Sequence, residues 1–283
     1  MNREVALSFK NSQQQPLAGI LNQPVDGNGV GVVIVVGGGQ YRVGSHRQFV
    51  NLARFLSDRG VAVFRFDVTG MGDSCGVKKS FECLDEDIGA AIDVFIDQAE
   101  AVNKVILWGL CDGASAALLY APLDARVAAL VLINPWMEQP QAKARARLFS
   151  YYWERLLQRA FWHKVRALKF DLRGSMREFL QVLAGAMTRA GIKQPSENMP
   201  SYQERMYQAA FCFSNDIHVL LSGRDLIARE FELQFTAGRW QQVARREQVH
   251  LYTNNNADHT FSEPDSEHWL KETTLDVCAG YAR

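Results

Sequence analysis

The sequence predicts an α/β protein: a mostly parallel, doubly wound sheet interrupted by one long helical insertion. Three observations carry that expectation. Apolar runs of strand length alternate with segments of helical periodicity, the pattern of parallel strands joined by right-handed helical crossovers. The runs are continuous rather than alternating, as in "GVGVVIVV", so these strands are expected to be buried on both faces. The alternation stops at Asn134 and resumes at Asp216, which leaves residues 136–215 as an insertion of amphipathic helical text. A chain of 283 residues with 47% hydrophobic composition can fill one large core and carry such an insertion.

Taken in order, "EVALSF" and "PLAGIL" flank the polar "KNSQQQ" and read as an opening hairpin. The run over 29–36 is the first buried strand. It ends in "GGGQYRVGSH", after which Phe49, Leu52, Ala53 and Leu56 recur at helical spacing until Gly60 stops the helix. "VAVFRF" (61–66) is the next strand and "CLDEDIGAAIDVFIDQAEA" the next helix. "KVILW" (104–108) leads into the helical "GASAALLYA", and "VAALVLI" (127–133) is a further strand. Beyond the insertion come the strand 216–223, a helix at "EFELQFT", a last strand at 248–253 and a closing helix at "DSEHWLKETTLDVCAGYA". The core is therefore expected over 1–135 and 216–283, with 136–215 as a lid. Gly, Pro, Ser and Asn cluster over 191–201, where loose order is expected. In the insertion, Tyr151, Tyr152, Trp153, Phe161 and Trp162 are expected to pack the lid onto the core, and Arg145, Arg147, Arg155 and Arg159 to form a solvated face.

Composition excludes several classes of partner. The 31 basic side chains balance 31 acidic ones, so nothing draws the chain to nucleic acid or an anionic membrane. No stretch approaches the roughly 20 apolar residues that span a bilayer, and the opening segment lacks a signal-peptide core, so a cytoplasmic location without membrane insertion is expected. The five cysteines are odd in number and scattered without C-x-x-C spacing, which argues for reduced thiols rather than disulfides or zinc.

One heptapeptide carries the chemistry. In "GLCDGAS" (109–115) a cysteine sits between two glycines where a strand becomes a helix, the pattern G-x-C-x-G. A reversal that sharp brings the strand and helix backbones together two residues either side of Cys111, so a side chain at Gly109 or Gly113 is expected to clash. The turn aims the sulfur out of the sheet and sets it at a helix N-terminus, which favours thiolate. Two partners follow at later strand ends: Asp225 after "DIHVLL" and His259 after "QVHLYT". The order Cys111, Asp225, His259 is that of a nucleophile, an orienting acid and a general base. Oxyanion donors are expected from the Asp112 amide and from the glycine loop, at Gly39 or Gln40. That loop lacks both G-x-G-x-x-G and a Walker lysine, so a nucleotide site is not expected. His46, in the same loop, is a structural candidate or a pocket-lining one. Cys75, Cys83, Cys212 and Cys278 lack any such turn and are expected to be inert.

With these residues in hand, the chain resembles the α/β-hydrolase superfamily over residues 30–283. "FRFDVTGMGDSCG" (64–76) resembles that family's D-x-x-G-x-G-x-S loop, in which Asp67, Gly70 and Gly72 shape a turn near the site. More narrowly, "VVGGGQYRVGSHRQF", "GMGDS", "GLCDGAS" and "YYWERLL" resemble hydrolases associated with exosortase A systems, which accompany protein-sorting and exopolysaccharide genes. Two departures stand out. Cysteine replaces serine, as in dienelactone-type hydrolases, and the glycine loop lacks the usual His-Gly. The resemblance implies the α/β-hydrolase fold and an acyl hydrolase or acyltransferase working on an ester, thioester or lactone through a thioacyl-enzyme, without metal or organic cofactor. The rival expectation is a binding protein for a small molecule on the same scaffold, with Cys111 unused. Carbon–carbon bond hydrolysis is a third.

Overall fold

The computed structural model describes residues 3–37, 39–99, 101–137 and 200–282. Contacts divide the chain into two units, residues 1–137 with 202–283 and residues 138–201. The expected lid aromatics and arginines, at 145–162, lie outside the described residues, as do 191–199.

The first unit holds one eight-stranded sheet. Its strands are β1 (Arg3–Lys10), β2 (Pro16–Gln23), β3 (Val30–Val35), β4 (Ala62–Phe66), β5 (Lys104–Leu110), β6 (Val127–Ile133), β7 (Asp216–Ser222) and β8 (Val249–Asn254), in the order β1-β2-β4-β3-β5-β6-β7-β8. The hairpin pairs antiparallel, with Arg3 opposite Gln23, and β2 continues antiparallel onto β4. From β4 across to β8 every pairing is parallel. The described helices are α1 (Gln48–Ser57), α2 (Asp85–Gln98), α3 (Asp112–Tyr120), α4 (Tyr202–Cys212), α5 (Leu226–Phe235), α6 (Gln241–Ala244) and α7 (Pro264–Ala279).

The period-2 geometry of a strand buried on both faces sorts β3 between two cores. Val33 and Val35 join Ile88, Ile92 and Phe95 of α2 and the alanines of α3. Val32 and Ile34 join Phe49, Leu52 and Leu56 of α1 and Leu270 and Val277 of α7. Two elements differ from the sequence expectation. Residues 202–212 fall in the stretch read as insertion, yet α4 buries Met206, Ala209 and Ala210 in the first of these cores. Helix α5 starts four residues before "EFELQFT", because the Asp225 side chain caps it by accepting from the Ile227 and Ala228 amides.

The chain lays β4 on one side of β3 and β5 on the other. The crevice beyond the carboxyl ends of β3 and β5 is therefore the switch point where open α/β sheets bind ligands. The glycine loop and Cys111 leave the sheet there.

Candidate active site

Cys111 is the single residue between the end of β5 and the start of α3, with φ 59° and ψ −124°. A non-glycine residue there costs on the order of 1–3 kcal/mol and persists only where its surroundings over-determine it. They do. The Cys111 amide donates to Ile133 O at 2.9 Å, and its carbonyl accepts from Ala114 N at 3.1 Å, Ser115 N at 3.2 Å and Trp136 N at 3.2 Å. The flanking glycines answer to close approach. A Cβ on Gly109 would lie 2.5 Å from Gly113 O and 2.6 Å from Ala114 N. One on Gly113 would strike Val35 O and come within 3.0 Å of Gly37 N, the start of the glycine loop.

Two later loops bring their side chains to this turn. His259 Nδ1 lies 2.7 Å from Asp225 Oδ2, and the Cys111 side chain stands near enough to the imidazole to favour its charged form. The Asp225 hydrogen bond first, and then the neighbouring Cys111 side chain, outweigh burial and push the His259 imidazolium up to about 10. For Asp225, burial works to raise the carboxyl. The His259 hydrogen bond and charge, with the Ala228 and Ile227 amides, overcome it and leave the group below the ordinary aspartate range. The structure thus joins His259 and Asp225 by a hydrogen bond and sets the pair beside the Cys111 side chain.

The oxyanion candidates are arranged less uniformly. Asp112 is the first residue of α3, so its amide sits beside the sulfur at the positive end of the helix. Gly39 is exposed, with open space where a side chain would be. The Gln40 amide instead closes a turn onto Gly37 O at 3.0 Å, and its side chain donates to Ser45 Oγ at 3.2 Å. Farther along, the Arg42 amide donates to Asp67 Oδ1 at 2.7 Å and its guanidinium pairs with Asp67 and Asp73, while Arg65 Nη1 reaches Arg42 O at 3.3 Å. Asp67 is fully buried, and Gly70 and Gly72 turn the chain around it at positive φ. These three residues shape the loop.

His46 is exposed and bonds the adjacent Ser45 carbonyl. The other four cysteines stand apart: Cys75, Cys83 and Cys212 are exposed, and burial pushes the Cys278 thiol up to about 12. Among the described residues no three His, Cys, Asp or Glu side chains converge on a metal-sized site.

Sequence reasoning passed over two buried amides behind the histidine. Asn134 Nδ2 donates to His259 O at 3.0 Å, and Gln48 Nε2 donates to Thr260 O at 2.8 Å. The sole signal in the sequence is a polar residue, Asn134, standing directly at the end of the apolar run of β6.

A mostly parallel eight-stranded sheet, with a Gly-flanked turn after β5 and Asp and His side chains beyond β7 and β8, defines the α/β-hydrolase class. The chain belongs to the alpha/beta hydrolase family, whose model matches residues 32–271. Among solved structures it is similar to the Pyrococcus furiosus esterase Pf2001, at 15% identity and a TM-score of 0.66 over 97% of this chain and 91% of that one. It is also similar to the alpha/beta hydrolase GrgF from Penicillium sp. sh18, at 18% identity and TM-score 0.62 over 98% and 99% of the two chains. A third is Est1E from Butyrivibrio proteoclasticus with bound ferulic acid, at 15% identity and TM-score 0.61 over 95% and 96%. No curated protein matches the chain.

Proposed function

We propose that the protein is a cysteine-dependent acyl hydrolase or acyltransferase. The observation that carries this reading is the His259 imidazole, hydrogen-bonded to Asp225, standing beside the Cys111 side chain on its strained turn. The thiolate of Cys111 attacks an acyl carbonyl, forming a C–S bond and a tetrahedral oxyanion. The amides of Asp112 and Gly39 receive that charge; Gly39 is preferred to Gln40, whose N–H is engaged by Gly37 O. Collapse breaks the bond to the alkoxide or thiolate leaving group, which takes the His259 proton. Water or another acceptor then gives its proton to neutral His259 and attacks the thioester carbonyl. Breaking the C–S bond returns the thiolate and releases the acyl product. Asp225 holds the imidazole in orientation and stabilises its charged form throughout.

Thiolate leaves more readily than alkoxide, so activated acyl groups suit this site better than amides. The esterases among the structural neighbours favour a carboxylic ester as the substrate class. The resemblance to exosortase A-associated hydrolases adds a setting beside protein sorting and exopolysaccharide synthesis, on the cytoplasmic side. No helix among the described residues is long and apolar enough to cross a membrane.

The test is a panel of p-nitrophenyl esters, acyl thioesters and lactones run against wild type and Cys111→Ala. Turnover that vanishes in the variant is the expected result, and undiminished hydrolysis refutes the assignment. Iodoacetamide labelling read by mass spectrometry gives a second check. Cys111 should label first, and His259→Ala should slow it; indifference to His259 would favour a binding protein on this scaffold.

A further inference from the structure

We infer that Asn134 is a positioning residue, a single buried amide that fixes the His259 and Asp225 loops to one another. The inference rests on the reading of Cys111, His259 and Asp225 as the reacting set. Asn134 is fully buried and sits immediately after β6 with φ 43°, a left-handed conformation that Asn tolerates better than most residues. Its Nδ2 donates to Ser222 Oγ at 2.7 Å and to His259 O at 3.0 Å, while its Oδ1 accepts the Ser222 amide at 2.9 Å. Its own amide donates to Leu220 O at 3.0 Å. Ser222 ends β7, three residues before Asp225. One side chain therefore grips the strand end that delivers the carboxylate and the carbonyl of the residue that carries the imidazole.

The same turn reaches the sulfur's residue. Two positions on, Trp136 N donates to Cys111 O at 3.2 Å, and Ser115 Oγ locks Trp136 O at 2.8 Å. Residues 134–136 are thus tied to all three loops that must stay in register. A residue that served only to terminate β6 would be satisfied by β7. The bond across 125 residues of chain to His259 O is surplus to that task and acts on the imidazole's backbone. An aliphatic side chain there would leave Ser222 N–H and His259 O without these partners. Misplacing a reacting group by about 1 Å costs on the order of a hundredfold in rate.

Asn134→Gly is the test, because glycine accepts φ 43° while the amide is removed. With p-nitrophenyl acetate the expected outcome is a kcat about tenfold to a hundredfold lower with KM little changed. The pH profile of Cys111 alkylation by iodoacetamide should move toward that of His259→Gln. A variant that melts earlier yet keeps the wild-type kcat and alkylation profile below its melting point overturns the inference. His259→Gln separates the two readings. If it leaves turnover and alkylation intact, the triad itself fails; if it abolishes them while Asn134→Gly does not, only the role of Asn134 falls. Should Asn134→Gly not fold, Asn134→Asp keeps the shape and the φ but exchanges donor for acceptor, and the same loss of kcat is expected. Failure of both to fold assigns Asn134 to the fold alone and overturns the proposal.

Discussion

Asp225→Asn tests the site most sharply, because Asp225 has two tasks that this substitution separates. The carboxylate caps α5 through Ile227 N at 3.3 Å and Ala228 N at 3.1 Å, and it holds His259 Nδ1 at 2.7 Å. Asn caps about as well as Asp, so the first task should cost only a few tenths of a kcal/mol. The second loses a charge-assisted hydrogen bond, worth about 1.5–3 kcal/mol when buried. His259 keeps 31% of its side chain exposed, so solvent screening brings the total stability loss to about 1–2 kcal/mol. The pH dependence has a definite sign. Asp225 lies below its ordinary value, so its contribution is present above about pH 4 and is lost as pH falls. The His259 imidazolium is held up to about 10, so its contribution is full below about pH 6.5 and is lost progressively as pH rises from there through about 10. Urea denaturation should therefore show wild type exceeding the variant most between about pH 4 and 6.5, with the gap closing toward about pH 10. Turnover should fall by on the order of 10³–10⁴, the loss typical when a triad acid becomes an amide. A stability gap that is flat across pH, or a kcat within tenfold of wild type, would sink the reasoning.

Cys111→Ala should abolish turnover and leave stability within about 1 kcal/mol, whereas Cys111→Gly, equally inactive, should melt higher because glycine relieves the backbone at φ 59°; equal melting of the two would remove the strain argument. Gly113→Ala forces a Cβ against the backbone of Val35 and Gly37, so a loss of about 3 kcal/mol or more in urea denaturation is expected, with slowed Cys111 alkylation. A fully stable Gly113→Ala would contradict the close approach. Arg42→Met strips the buried Asp67 carboxylate of its cation and should cost about 3 kcal/mol. Because Arg42 anchors the glycine loop, kcat should drop with it, and a variant as stable as wild type would show that the Arg42 and Asp73 amides satisfy Asp67 alone.

What the sequence made legible was local or periodic. The β-branched runs announce β3 and β6 because a strand buried on both faces admits little else. The Gly109/Gly113 pair announces the turn because each glycine meets a close backbone approach, Gly109 against the start of α3 and Gly113 against the end of β3. The start of α5 was missed because Asp225 read as a candidate for chemistry also serves as a cap. The burial of α4 was missed because helical periodicity marks an apolar stripe without saying what covers it. Asn134 and Gln48 were invisible for a stricter reason. Their partners lie 125 and 212 residues away, and no pattern in the text around either one encodes a carbonyl delivered by a loop from the far end of the chain. The Gln40 amide likewise depends on which way a short turn closes, a choice that three successive glycines leave open.

Five cysteines with the same side chain provide an internal comparison that separates chemistry from access. Cys75, Cys83 and Cys212 are exposed, Cys111 is half-buried, and Cys278 is buried among apolar side chains. Were alkylation governed by access alone, Cys111 would react after the three exposed thiols. Only Cys111 has an imidazole beside it and a helix N-terminus beneath it, and only its backbone is held at φ 59° by four backbone hydrogen bonds. A scaffold that merely bound a ligand would gain nothing from holding that one residue in a strained conformation beside the His259–Asp225 pair. The order of labelling therefore weighs the two readings directly. Cys111 ahead of more exposed thiols can arise only from the state of its sulfur, and the same order lost in His259→Gln would trace that state to the histidine.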